Sequence, residues 1–126
     1  MEITDGSFVG SSAAIQIDNN TDETYWKGPS TVTISGGSFN GPIVFDVLGP
    51  ETADRTPSAT LNISGGHFAV TSGNLFTITN LSQYCHINIS GGYFSQDPAA
   101  YVIDGYQVIA NTEEDKTTYP YKVVAE

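Results

Sequence analysis

Three aspartates could supply the paired carboxylates of a glycoside hydrolase. Asp18, Asp46 and Asp104 each lie in or beside an apolar segment that follows a phenylalanine. Two carboxylates cooperate only at a defined separation. Counted from Phe8, Phe39 and Phe94, the offsets are 10, 7 and 10 residues. Equal offsets put Asp18 and Asp104 in one column but three repeats apart, roughly 14 Å at ordinary strand spacing. The unequal one sets Asp46 elsewhere. A polysaccharide lyase needs Arg or Lys as a base, and none of Lys27, Arg55, Lys116 and Lys122 falls on a repeat strand. Cys85 precedes His86, but neighbouring strand residues point to opposite faces, so the two are badly placed for a nucleophile and its base. No catalytic residue is assigned, and the expectation is a chain that is not an enzyme.

Binding is the stronger chemistry. The position before each phenylalanine is outward and variable: Ser7, Ser38, His67, Tyr93. Asn62 and Asn88 run beside it, and Tyr25 and Trp26 stand in the longest loop. Ser38, His67, Tyr93, Asn62, Asn88, Tyr25 and Trp26 form a candidate sugar-binding set, able to hydrogen-bond and stack, although ordinary outward polar residues with Trp26 packed over a core edge are the simpler reading. Asp18, Asn20, Asp22 and Glu23 in "DNNTDE" offer hard oxygens to Ca²⁺. The stretch lacks the glycine and terminal glutamate of an EF-hand loop, so a solvated acidic loop is the simpler reading. His67 and His86 belong to different repeats and columns and make no metal pair. No cofactor is implied.

These side chains hang on a repeat. "ISGGSF", "ISGGHF" and "ISGGYF" begin at Ile34, Ile63 and Ile89, and "ITDGSF" at Ile3. Successive phenylalanines are separated by 31, 29 and 26 residues, a spacing that fits one coil of a solenoid. Each copy opens with an alternating strand, such as "TVTI" or "TLNI". After the phenylalanine comes a second apolar segment: "AAIQID", "PIVFDV", "NLFTIT" or "AYVID". No segment carries a helical period. The expected fold is all-β: a right-handed parallel β-helix of about four coils with a C-terminal β-hairpin cap. Residues 1–106 hold the coils, beginning near 1, 31, 60 and 86, and residues 107–126 the capping hairpin. "YQVIAN" and "TYPYKVV" flank the acidic turn "TEEDK", and a cap protects an open sheet edge.

On this reading "ISGGxF" is a corner. Ile34, Ile63 and Ile89 form an aliphatic core column, and Phe8, Phe39, Phe68 and Phe94 an aromatic one. The pairs Gly36–Gly37, Gly65–Gly66 and Gly91–Gly92 permit the bend between them. A phosphate cradle is excluded, because a strand rather than a helix follows and no lysine is near.

Composition narrows the partners. Net charge is −10 with four scattered basic residues, which argues against nucleic acid and anionic membrane surfaces. No apolar run reaches the length of a membrane span. The single cysteine, Cys85, allows no intrachain disulfide and reads as a small core residue.

"ISGGYFSQDPAAYVIDGYQV", from Ile89 to Val108, with "YKV" at Tyr121 to Val123, resembles a unit of large repetitive surface or secreted proteins of Gram-positive, gut-type bacteria. The earlier copies resemble it through "ISGGxF" alone. The resemblance implies a β-helical, adhesin-like or carbohydrate-associated protein with an extracellular or cell-surface setting, and a C-terminal position within it. It implies no catalytic residue. The functional expectation is a non-enzymatic structural or adhesive module. Glycans or other surface proteins are its expected partners, and its first coil is expected to stack on upstream repeats. A carbohydrate-binding module is the alternative, and part of a polysaccharide-active enzyme the third reading.

Overall fold

The computed structural model describes residues 1–20, 30–48, 58–78 and 84–126. Its strands make three sheets. The first holds β1 (Glu2–Ile3), β4 (Ser30–Ile34), β7 (Ala59–Ile63) and β10 (Cys85–Ile89), all parallel. The second begins with β2 (Ser7–Val9), β5 (Ser38–Asn40), β8 (His67–Ala69) and β11 (Gly92–Phe94), also parallel. It continues through β13 (Tyr121–Ala125) to β12 (Tyr106–Ala110), both added antiparallel. The third is the parallel set β3 (Ile15–Asn20), β6 (Ile43–Leu48) and β9 (Phe76–Ile78). Successive strands of the repeat thus lie in tiers: β1–β3, β4–β6, β7–β9, then β10–β11.

The expected single right-handed parallel β-helix is not what these strands form. They make three separate sheets, none of them closed, and the second is mixed. The mixture has a local cause. The segment between β12 and β13 reverses the chain, so β13 meets β11 antiparallel, as a short connection requires. The fourth tier is also incomplete. "AYVID" was expected as a strand, but Ala99–Tyr101 is a 3-10 turn and Val102 makes one isolated bridge to Ile89. Asp97 accepts a hydrogen bond from the Ala99 N–H at 3.0 Å, which favours the turn over an extended start.

Each letter of the six-residue unit has a physical task. Ile34, Ile63 and Ile89 are paired in register and buried. The serine that follows donates its N–H to the isoleucine carbonyl of the preceding tier: Ser35 to Ile3, Ser64 to Ile34, Ser90 to Ile63. The first glycine leaves room. A Cβ on Gly36, Gly65 or Gly91 would overlap the carbonyl oxygen of Thr4, Ser35 or Ser64 in the tier before. The second glycine turns the chain, as Gly66 does at φ +103°, where a side chain is strained. Its carbonyl then accepts the N–H of the variable residue one tier on: Gly37 from His67, Gly66 from Tyr93. The phenylalanine closes the unit. The rings of Phe8, Phe39, Phe68 and Phe94 stack at centroid distances of 4.9, 4.9 and 5.1 Å, nearly parallel.

Phe39, Phe68 and Phe94 are fully buried, whereas Phe8 at the end of the column is half-buried. Phe68→Ala should therefore cost about 3–5 kcal/mol in urea unfolding, the usual loss for a buried phenylalanine. Phe8→Ala should cost clearly less, because its ring is only half-buried and, among the described residues, stacks on one side only. Equal losses would show that the column is not the source of stability.

Candidate functional site

The register turns the variable letter into a column on the second sheet. Ser7, Ser38, His67 and Tyr93 are successive partners across β2, β5, β8 and β11. Lys122 on β13 continues it beside Tyr93. The His67 and Tyr93 rings stack at 4.5 Å, only 3° from parallel. Asn62 and Asn88 are likewise partners on the first sheet, where the Asn88 amide donates to the Asn62 side-chain oxygen at 3.0 Å.

The chain's own tail takes up much of this column. Between β12 and β13, residues 111–120 fold over His67 and Tyr93. Tyr119 meets His67 edge-on at 5.0 Å, and the Asp115 carboxylate lies 3.3 Å from His67 Nε2. Asn111, the one buried polar residue among those described, holds the segment in shape. Its amide donates to Asp115 Oδ1 and to the Tyr119 carbonyl, and its side-chain oxygen accepts the Glu113 N–H. Lys122 lies over the Tyr93 ring at 5.1 Å and pairs with Glu113 at 3.1 Å.

The Tyr93 hydroxyl donates to the Glu113 carboxylate. That bond, with the Lys122 ammonium, holds the Glu113 carboxyl below the usual carboxylate range. Its bond to Glu113 pushes the Tyr93 hydroxyl up, with burial adding and Lys122 opposing. The same contacts raise Lys122. The arrangement is an internal cross-link: three aromatic rings, one cation and two carboxylates contact one another, with the charged groups still partly exposed. Ser38, one step further along, has no tail residue across it among the contacts described.

Tyr25, Trp26, Asp22 and Glu23 lie outside the described residues. Asp18 and Asn20 belong to β3, which places their backbone only. The carboxylate columns need correction. Asp18 and Asp46 are strand partners across β3 and β6, not members of different columns. Five residues separate β2 from β3 but two separate β5 from β6, and this difference of three cancels the unequal offsets. Asp104 shares no column with Asp18, since it sits exposed in the turn after Val102. Burial pushes the Cys85 thiol up, which weakens it as a nucleophile, while His86 is exposed. No cluster of three or more His, Cys, Asp or Glu side chains suited to a metal occurs among the described residues. Asn111, Glu113, Asp115, Tyr119 and Lys122 were not anticipated at the column. The available signal was the acidic "TEEDK" next to a strand carrying one lysine.

No protein-family model, curated protein or solved structure matches the chain.

The cross-link sets a pH window. Glu113 has a lowered folded value, so its contribution is present above the ordinary carboxylate range and lost as pH falls through the lowered value. Tyr93 and Lys122 have raised values, so theirs is present below their ordinary values and lost as pH rises through the raised ones. The Tm difference between the parent chain and Glu113→Gln should be largest between about pH 5 and about pH 9, and shrink on either side. Differential scanning calorimetry across pH checks this, and a pH-independent difference would count against the ionic cross-link.

Proposed function

We propose that the chain is a non-enzymatic structural and adhesive module, near the C-terminal end of a larger exported bacterial protein. It holds other parts of that protein in place and contacts glycans or surface proteins. One observation carries the reading. The recurrent residues are spent on joining tier to tier: isoleucine and phenylalanine in the core, serine and glycine in the ladder. A repeat conserved within the chain for that purpose builds length rather than a reaction centre. The outward column supports the same view. His67 and Tyr93 are engaged by the tail, and Asn62 with Asn88. That speaks against the outward face as an open sugar platform.

Two measurements test the proposal. Doubling residues 59–84 in tandem adds one tier, and the longer chain should unfold cooperatively with an equal or higher Tm, because each tier contributes its own interface. Loss of cooperative unfolding would argue that the tier number is fixed by a site. The parent chain, incubated with neutral and uronate polysaccharides, should release neither reducing ends nor unsaturated products. Release abolished by Asp46→Asn would overturn the reading, since Asp46 is the aspartate paired in register with another, Asp18, across β3 and β6.

A further inference from the structure

Two depressions adjoin at Asp97. One, of about 320 Å³, is lined by Phe76, Tyr101, Leu75, Pro98, Asn74 and Gln96 besides Asp97. The other, of about 570 Å³, runs along β12 past Tyr106, Gln107 and Tyr121. Leu75 and Pro98 are buried, and the four aromatic residues are half-buried. Phe76 and Tyr101 brace each other edge to face at 5.1 Å. Gln96, also in the lining, ties two of the segments together: its side-chain oxygen accepts the Leu75 N–H at 2.9 Å and its amide donates to the Gly73 carbonyl. The walls are therefore set before any ligand arrives.

We propose that these two depressions are adjacent subsites for an uncharged pyranose disaccharide, with Asp97 between the rings. The chemistry fits in three respects. Aromatic walls with a few fixed polar groups are the usual lining of a small-ligand site, and tyrosine offers an apolar body with a polar tip. Asp97 at the junction and Asn74 in the first depression keep binding capacity among the described residues. Asp97 uses Oδ1 on the Ala99 N–H, which leaves Oδ2 as an acceptor for a sugar hydroxyl. Asn74 brings both a donor and an acceptor. No lysine or arginine lines either depression. In a chain of net charge −10 the site would repel a uronate and accept a neutral ring. The structural role proposed above does not depend on this site, so either can fail alone.

The test is an NMR titration of the ¹⁵N-labelled chain with cellobiose, maltose, lactose, glucose and glucuronate. At least one neutral disaccharide should shift the amides of Asn74, Phe76, Ala99 and Gln107 together, at millimolar affinity. It should bind about tenfold more tightly than glucose. Glucuronate should bind more weakly than glucose. Asp97→Asn keeps the Oδ1 acceptor of the turn and should weaken binding about tenfold through the lost charged hydrogen bond. Tyr101→Phe should leave the walls in place and weaken binding less. Amides of Ile34 and Ile63 in each variant report that the core is intact. No shift with any disaccharide at about 20 mM would overturn the proposal. So would shifts confined to His67 and Tyr93, or glucuronate binding as well as glucose does.

Discussion

The structure depends on close, in-register contact between tiers. Phenylalanine rings stacked about 5 Å apart demand that the backbones approach to the ordinary spacing of a strand ladder. At the corner there is no slack, because the carbonyl of one tier points at the Cα of the first glycine of the next. The aromatic column and the glycine pair are two sides of one constraint. Rings too far apart would lose their stacking contacts, and a side chain at the corner would force them apart. This is why the three copies inside the stack vary at one internal position and not at the others, while the outermost copy also differs at Thr4 and Asp5.

The same constraint explains the outward column. Since the N–H of the variable residue bonds to the glycine carbonyl of the tier before, its backbone is as fixed as the corner, while its side chain is free of the core. Whatever stands there is displayed at ladder spacing. Serine at positions 7 and 38 leaves the surface flat, while histidine and tyrosine at 67 and 93 make a two-ring ledge. The acidic segment closes on that ledge and not on the serines. Its carboxylates find His67 and Lys122 there, and Tyr119 finds a ring edge to pack on. The tail's position is thus selected by two residues of the repeat that differ from their counterparts.

Much of this was legible in the sequence and some was not, for physical reasons. The columns of Ile34, Ile63 and Ile89 and of the four phenylalanines follow from residue spacing, because an in-register ladder repeats whatever the unit repeats. Counting failed where loops differ in length. The three extra residues between β2 and β3 hid the pairing of Asp18 with Asp46, since a loop absorbs an insertion without moving the strands. It failed again at "AYVID", whose apolar residues match a strand but whose start is governed by the Asp97 turn. The larger error concerned architecture. Periodicity reports that strands stack, but it does not report that the three sheets stay open or that the hairpin joins the second sheet antiparallel through β13. The outward set was read as vacant because a sequence cannot show that residues 111–120 return to it.

The two ends of the stack are different, and one residue explains how. At the C-terminal end β13 pairs with β11, Val102 bridges to Ile89, and Gln96 ties its turn to Leu75. At the other end β1, β2 and β3 are all edge strands. Asp5 stands there in the place of Gly36, Gly65 and Gly91, the position where a Cβ would overlap the carbonyl of a preceding tier. Within the stack that position must be glycine; at its outer face an aspartate is tolerated, and it caps the Gly6 N–H with Oδ1 at 2.8 Å. A tier laid on β1–β3 in the internal register would drive its carbonyl into Asp5 and set an oxygen against a carboxylate. Edge strands are commonly guarded by such a charge.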